Sequence, residues 1–391
     1  MRARPLLSDP LPFDLGIAHE LYGALLGPVE DLIKDKHLLI VPSGPLTSLP
    51  FQVLVTEQPQ SVRPKNFDEY SGVAWLGRRQ PLTVLPSVSS LQALRQFAKS
   101  STAERPYLGY GNPVLLGDGG CRHQIASEAC TPPGVIAAND PLPPRERSEV
   151  PSGSIDRIYH RGAGQEAVTA EVRALCPLPD TSFELRCVAK SLGVPESEIR
   201  LGSSSTEADI KGLSEANELE NYRVVHFATH GLLAGDTEAM ARRQGEPALV
   251  MTPPEHPRDA DDDGLLTASE VAQLRLDADW VILSACNTAA GDQLGAEALS
   301  GLARAFFYAG SRALLVSHWP VYSNAAVQIL DKTFVELRQD ETMGRSEALR
   351  RAMVDLMDDP RQEDNPHPSI WAPFSLVGEG AQCCGKSANP G

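Results

Sequence analysis

The chain has 391 residues, 42% of them hydrophobic and 22% charged, with 51 acidic against 35 basic side chains and a net charge of −16. That composition describes a globular protein long enough to bury a sizeable core. With no cluster of Lys and Arg, the acidity argues against a direct nucleic-acid binder, and no apolar run approaches the ~18 residues of a membrane span.

The opening stretch, MRARPLLSDPLPFDLG, has two arginines but no sustained apolar core after them, because Pro5, Asp9 and Pro10 interrupt it. No signal peptide is read and a cytoplasmic protein is expected. Seven dispersed cysteines, an odd number, argue against a disulfide framework. Free thiols are expected, with Cys176 and Cys187 the pair to consider in an oxidising setting.

In chain order, LGIAHELYGALLGPVEDLI has helical spacing at Ile17, Leu21, Leu25 and Leu32. HLLIVPSGPLTSLPFQVL follows as a short strand at 38–41, a turn and a second apolar segment. PLTVLPSVSSLQALRQFAK reads as strand, serine cap and helix, and RPYLGYGNP as a strand ending in a Gly-Asn-Pro turn. Residues 111–164 are rich in Gly, Pro, Ser and charge and read as a surface insertion. Within it Cys121, His123 and Cys130 are candidate zinc ligands, but the paired CxxC spacing is absent and no metal is expected. Helices are expected in GQEAVTAEVRALC and ELRCVAKSLGV, and a capped helix in SSSTEADIKGLSEANEL. No repeat of 20 to 50 residues is visible.

YRVVHFA, WVILSAC and RALLVSHW are near-continuous apolar runs, each followed after a loop by a helical pattern. In the clearest, AEALSGLARAFFYAG, Leu299, Leu302, Ala303 and Phe306 share a face and Gly310 ends it. A short PALVM strand lies between the first two runs. NAAVQILDKTFVEL, SEALRRAMVDLM and a last strand, WAPFSLVG, complete the series before a disordered tail at 381–391. Apolar strands alternating with helices imply a mostly parallel central sheet flanked by helices on both faces.

The stretch NYRVVHFATHGLL places His226 and His230 four apart, as in a helical metal pair. The residues before His226 favour a strand, along which four residues span roughly 13 Å against about 6 Å on a helix. Two such imidazoles cannot hold one ion, and Phe227 stands where the zinc-protease pattern requires Glu. His226 is expected to be a supporting core histidine, and His230 the last strand residue at a turn made by Gly231. In open α/β sheets, sites form outside the carboxyl ends of the strands. Cys286 ends the run WVILSA, so if the two strands are neighbours a thiol meets a base there. Their separation is 286 − 230 = 56 residues, and caspases place their His about 50 residues before the Cys.

VVHFATHG and VILSACNTAAG resemble the two catalytic motifs of CHAT peptidases, caspase-like cysteine peptidases related to separases and often joined to tetratricopeptide repeats. LLIVPSGPLTSLPFQVL, DGLLTASEV, GAEALSGLARAFFYAGSRALLVSHWPV and HPSIWAPFSLVGEG resemble the same family, so the likeness spans about residues 15–380. It implies His230 as general base, Cys286 as nucleophile, and the backbone N–H groups of Gly231 and Cys286 as an oxyanion hole. His226, Asn287, Asp263 and Trp319 are the supporting or cleft-lining candidates. After HWPV, where many relatives carry acidic residues, this chain has Tyr322 and Ser323.

The expected fold is therefore α/β and caspase-like. An N-terminal α/β part at 15–210 would carry the insertion, and a catalytic part would follow at 220–380. The expected function is a cysteine endopeptidase with no cofactor. It would act on protein or peptide substrates and be regulated by or recruited to a partner such as a tetratricopeptide-repeat module, with no direct nucleic-acid or membrane partner. The alternatives are a catalytically idle scaffold with the same fold, disfavoured by the presence of both His230 and Cys286, and another thiol enzyme. The latter commonly uses a Gly-x-Cys-x-Gly elbow, and Ser284 stands at its first glycine position. DADDDGLLTASE at 259–270 also matches a calcium loop through Asp259, Asp261, Asp263, Gly264 and Glu270. The proline-rich MTPPEHPRDA before it leaves no room for the incoming helix, so a solvated loop leading into a capped helix is expected.

Overall fold

Short runs rich in Val, Ile and Leu become the strands of the core. The computed structural model describes residues 10–88, 101–117, 165–241, 245–255, 262–284, 301–319 and 321–380. The helix expected after residue 88, most of the insertion with Cys121, His123 and Cys130, and the tail at 381–391 lie outside the described residues.

The strands are β1 (Leu38–Ile40), β2 (Leu82–Val84), β3 (Leu108–Gly111), β4 (Ile199–Leu201), β5 (Val224–Ala228), β6 (Gly231–Leu232), β7 (Ala248–Val250), β8 (Leu265–Thr267), β9 (Trp280–Leu283), β10 (Ala313–Ser317) and β11 (Phe374–Gly378). The helices of eight residues or more are α1 (Leu15–Leu25), α2 (Gln165–Arg173), α3 (Pro179–Ser191), α4 (Glu207–Glu215), α5 (Ala234–Ala241), α6 (Gly301–Ala309), α7 (Ser323–Gln339) and α8 (Arg345–Met357).

Eight strands form one sheet in the order β1-β2-β11-β10-β9-β5-β3-β4, and β6-β7-β8 form a separate antiparallel sheet. Every neighbouring pair in the large sheet is parallel except β10 with β11. The sheet is therefore mostly parallel, as expected. β1 and β4 are its edges. PALVM does form a strand, β7, but in the small sheet, where it pairs with the two residues after His230.

β5 is buried at every position, and its side chains alternate between two cores. Val224 and Ala228 face Leu185 and Val188 of α3, with α7 and α8 beyond. Val225 and Phe227 face Ile210 of α4 and Leu302 and Phe306 of α6. Covered on both faces, the strand has no polar alternation, as parallel strands require. Complete burial of Phe227 alone is worth roughly 2–3 kcal/mol.

Local signals set the helix ends. α4 starts at Thr206, whose hydroxyl accepts from Asp209 N–H at 3.1 Å. α6 stops at Gly310 with φ 112°, where a Cβ would lie 2.1 Å from Leu276 O. α3 starts earlier than the apolar spacing suggests, because Pro179 fits its first turn.

The strand order changes direction between β3 and β5. From β3 the chain moves outward to β4, then returns across β3 to β5 and continues to β9 and β10. In open α/β sheets ligand sites form beyond the carboxyl ends of the strands at such a switch, and His230 follows the carboxyl end of β5 by two residues.

Candidate active site

β5 ends at Ala228, two residues before His230, so His230 is not the strand's last residue. Thr229 is buried and its hydroxyl donates to Val250 O at 2.6 Å. Val250 N–H donates to His230 O at 2.9 Å. Gly231, expected to form a turn, is instead drawn into β6 opposite Leu249. Because His230 and Val250 share the hydrogen bond, the Gly231–Leu249 pair is the non-hydrogen-bonded kind. The N–H of Gly231 therefore points away from β7.

The half-buried His230 ring lies with Nε2 2.7 Å from the carbonyl oxygen of Cys176, three residues ahead of α3. A carbonyl only accepts, so Nε2 carries the proton and Nδ1 is the basic nitrogen of the neutral ring. Nδ1 has no hydrogen-bond partner among the described residues. Burial pulls the His230 pKa below its ordinary value, and the Cys176 carbonyl and the charge of Asp180 offset this in part. Asp180, in the first turn of α3, accepts from Ser323 Oγ at 2.7 Å. Ser323 thus holds an acid delivered from another helix.

His226 is completely buried in β5. Its Nδ1 is 2.9 Å from the hydroxyl of Tyr107, and its Nε2 is 3.1 Å from Oε1 of Glu184 in α3. This second contact does not meet the geometry of a hydrogen bond. The histidines thus have separate surroundings, which agrees with the strand reading and removes a shared metal ion.

Of the remaining candidates, Trp319 is half-buried and its indole N–H donates to Ser369 O at 3.2 Å. Its neighbour His318 lies 2.8 Å from Ser375 Oγ, and burial pulls its pKa down to about 4. Asp263 accepts from Leu265 N–H at 3.0 Å. Cys286 and Asn287 lie outside the described residues, although β9, which leads to them, is the direct parallel neighbour of β5. Cys176 and Cys187 are both disulfide-bonded and not the free thiols expected.

The calcium pattern has its final ligand already engaged. Glu270 accepts from Thr267 N–H and Thr267 Oγ1, each at 2.7 Å, in a capping box, and pairs with Lys211 at 2.7 Å. A strand, β7, occupies the place of the incoming helix. Asp259 and Asp261 lie outside the described residues. Among the described residues no cluster of His, Cys, Asp and Glu fits a metal ion, and no helix is long and apolar enough to cross a membrane.

Sequence reasoning missed Cys176, Asp180, Glu184 and Tyr107. Cys176 acts through its main chain, which no residue pattern reveals. Asp180 and Glu184 do stand four apart on α3, the same interval as the two histidines, but that match acquires meaning only once α3 is laid on β5.

Among curated proteins, the chain is similar to tetratricopeptide repeat protein 28 of Mus musculus, 29% identical over 226 residues, covering 52% of this chain and 9% of that protein. The Homo sapiens counterpart is 28% identical over 227 residues, covering 52% and 8%. The chain thus spans about a tenth of the length of these relatives. Among solved structures, it is similar to the Saccharomyces cerevisiae separase–securin complex, with TM-score 0.39 and 12% identity over 89% of this chain and 16% of that one. It is also similar to the Arg-specific cysteine proteinase gingipain R, with TM-score 0.32 and 10% identity over 51% and 42%. The sequence profile of the CHAT domain matches residues 15–379, and the chain belongs to the CHAT-domain family.

Proposed function

We propose that the protein is a cysteine endopeptidase in which His230 is the general base and Cys286 the nucleophile. The observation that supports this most is the bond from His230 Nε2 to the Cys176 carbonyl, which leaves Nδ1 basic and unengaged just past the end of β5. A pKa lowered by burial keeps that ring neutral at neutral pH, as a base must be.

In the proposed reaction Nδ1 takes the proton of the Cys286 thiol and the thiolate attacks the scissile carbonyl. The Gly231 and Cys286 N–H groups stabilise the oxyanion. The imidazolium then protonates the departing amine, leaving a thioester. Water, deprotonated by the same ring, hydrolyses it. The substrate is an extended segment of protein. Recruitment to it, or activation, falls to a protein partner, for which a tetratricopeptide-repeat module fits the company this domain keeps in its curated relatives.

Peptide-library cleavage, with labelling by a peptidyl electrophile, tests the proposal. Cys286→Ala and His230→Ala are each expected to abolish both signals while cooperative unfolding persists. Labelling of Cys286→Ala equal to wild type removes Cys286 as nucleophile. Folded wild-type protein that cleaves nothing, with or without candidate partners, leaves the idle-scaffold reading.

A further inference from the structure

Glu184 is a carboxylate only 2% exposed that takes no part in the reaction above, and His226 is the one cationic or potentially cationic group beside it among the described residues. Burying a carboxyl group against an imidazole returns little stability, because desolvation offsets most of the attraction. A role in specifying geometry explains it better. Glu184 lies midway along α3, on the face turned to β5, and its partner is a residue of β5 itself.

The surroundings show how closely the helix is held there. Gly109 and Gly111 of β3 present no side chain to α3. A Cβ at Gly109 would lie 3.0 Å from Leu185 Cδ2, and one at Gly111 would lie 2.7 Å from Leu185 Cδ1. The N–H of Asn112, just past β3, donates to Thr181 Oγ1 at 2.9 Å. One turn before Glu184 stands Asp180, whose charge acts on His230, and four residues before Asp180 stands the Cys176 carbonyl that holds the ring. A shift of α3 along β5 carries both away from His230.

We propose that Glu184 is a positioning residue for the His230 base: its contact with His226, backed by Tyr107, sets the place of α3 on β5 and thereby the Cys176 carbonyl on His230 Nε2. The proposal rests on the peptidase reading given above. His226 has Glu184 against Nε2 and the Tyr107 hydroxyl against Nδ1, so Glu184 is the group that joins this strand residue to the helix.

The test reads the pH dependence of Cys286 alkylation by iodoacetamide, followed on its own tryptic peptide, alongside kcat and KM on a cleaved peptide. In the wild type background, His230→Ala must raise the apparent pKa of the Cys286 thiol. If it does not, both proposals fall, and the fault lies with the peptidase reading. With that coupling present, Glu184→Ala is expected to reproduce much of the His230→Ala shift and to lower kcat about ten-fold or more, with KM changed less than about two-fold. Glu184→Gln, which keeps an oxygen for His226, is expected to restore most of both. A cooperatively folded Glu184→Ala with the wild-type alkylation profile and kcat overturns the proposal, since a purely stabilising residue moves the melting temperature alone. Should Glu184→Ala fail to fold, Glu184→Asp decides, because it withdraws the carboxylate by one methylene. A kcat loss of about five-fold with a shifted profile supports the proposal, and wild-type values for both overturn it.

Discussion

His230 is held by the carbonyl oxygen of Cys176, 2.7 Å from its Nε2 atom. A main-chain acceptor fixes the tautomer and the ring plane but adds no full charge. The charge that favours the imidazolium comes separately, from Asp180 at the start of α3. Orientation and basicity are thus assigned to two groups on one short segment, residues 176–180.

That division has a measurable consequence. Burial lowers the His230 pKa and Asp180 partly restores it. In the proposed mechanism the neutral ring is the base, so the acid limb of kcat/KM against pH is expected below the ordinary histidine value. Asp180→Asn removes the restoring charge while leaving an oxygen for the Ser323 hydroxyl. The limb is then expected to move to still lower pH. A limb that moves upward in Asp180→Asn contradicts this account of the base.

The central strands were legible in the sequence because burial on both faces forces unbroken runs of apolar residues. Val224–Ala228 and Trp280–Leu283 both form strands where those runs stand, and they are neighbours in the sheet. The strand reading of 222–228 also separated His226 from His230 before any coordinates. Other features depend on partners distant in sequence. Gly231 joins a second sheet because residues 248–250 lie beside it, and no local turn signal encodes that. Glu184 looks like a solvent-facing helix residue until its burial against His226 is seen, and the hold on His230 is a main-chain atom. The capped helix expected at the end of the calcium-like pattern does form, at Ala268–Val271 behind Thr267.

Glu207 gives a test of electrostatics away from His230. Its side chain is 1% exposed, accepts from Gly264 N–H at 2.6 Å and pairs with Lys211 at 2.8 Å. Burial outweighs Lys211, which is shared with Glu270, and pushes the carboxyl from 4.5 up to about 7. Below 4.5 it is protonated in both folded and unfolded chains. Between 4.5 and about 7 the unfolded chain ionises first, so stability falls as pH rises through that window, by roughly 3 kcal/mol for this group. Glu207→Gln keeps an acceptor for Gly264 and removes the titration. Urea melts at pH 5 and pH 8 are expected to differ less in the variant than in the wild type, and an equal difference excludes Glu207 as the cause.

The Thr267–Glu270 capping box makes the calcium question quantitative. With Glu270 bonded to Thr267 and Lys211, millimolar calcium is expected to leave the melting temperature unchanged. Thr267→Ala removes the hydroxyl that caps Ala268–Val271 and is expected to cost about 1 kcal/mol. A calcium-dependent rise in melting temperature that Glu270→Gln abolishes reverses this assignment.

Gly111 connects packing to His230 most directly. A Cβ there would lie 2.7 Å from both Ala228 O and Leu185 Cδ1. The carbonyl is backbone of the last residue of β5, so relief requires a shift between β3 and β5, the strands against which α3 packs. Gly111→Ala is therefore expected to cost about 1–3 kcal/mol and to lower kcat beyond what the lost stability explains, because displacing α3 moves Cys176 away from His230. Gly212, within α4, is the control. A Cβ there meets nothing within 4 Å, so Gly212→Ala is expected to stabilise the helix by up to about 1 kcal/mol and to leave kcat unchanged. Calorimetry paired with kcat for the two alanine variants separates a packing effect on the base from a general loss of fold. Equal, small effects of both on kcat show that His230 is held independently of how closely α3 lies on the sheet.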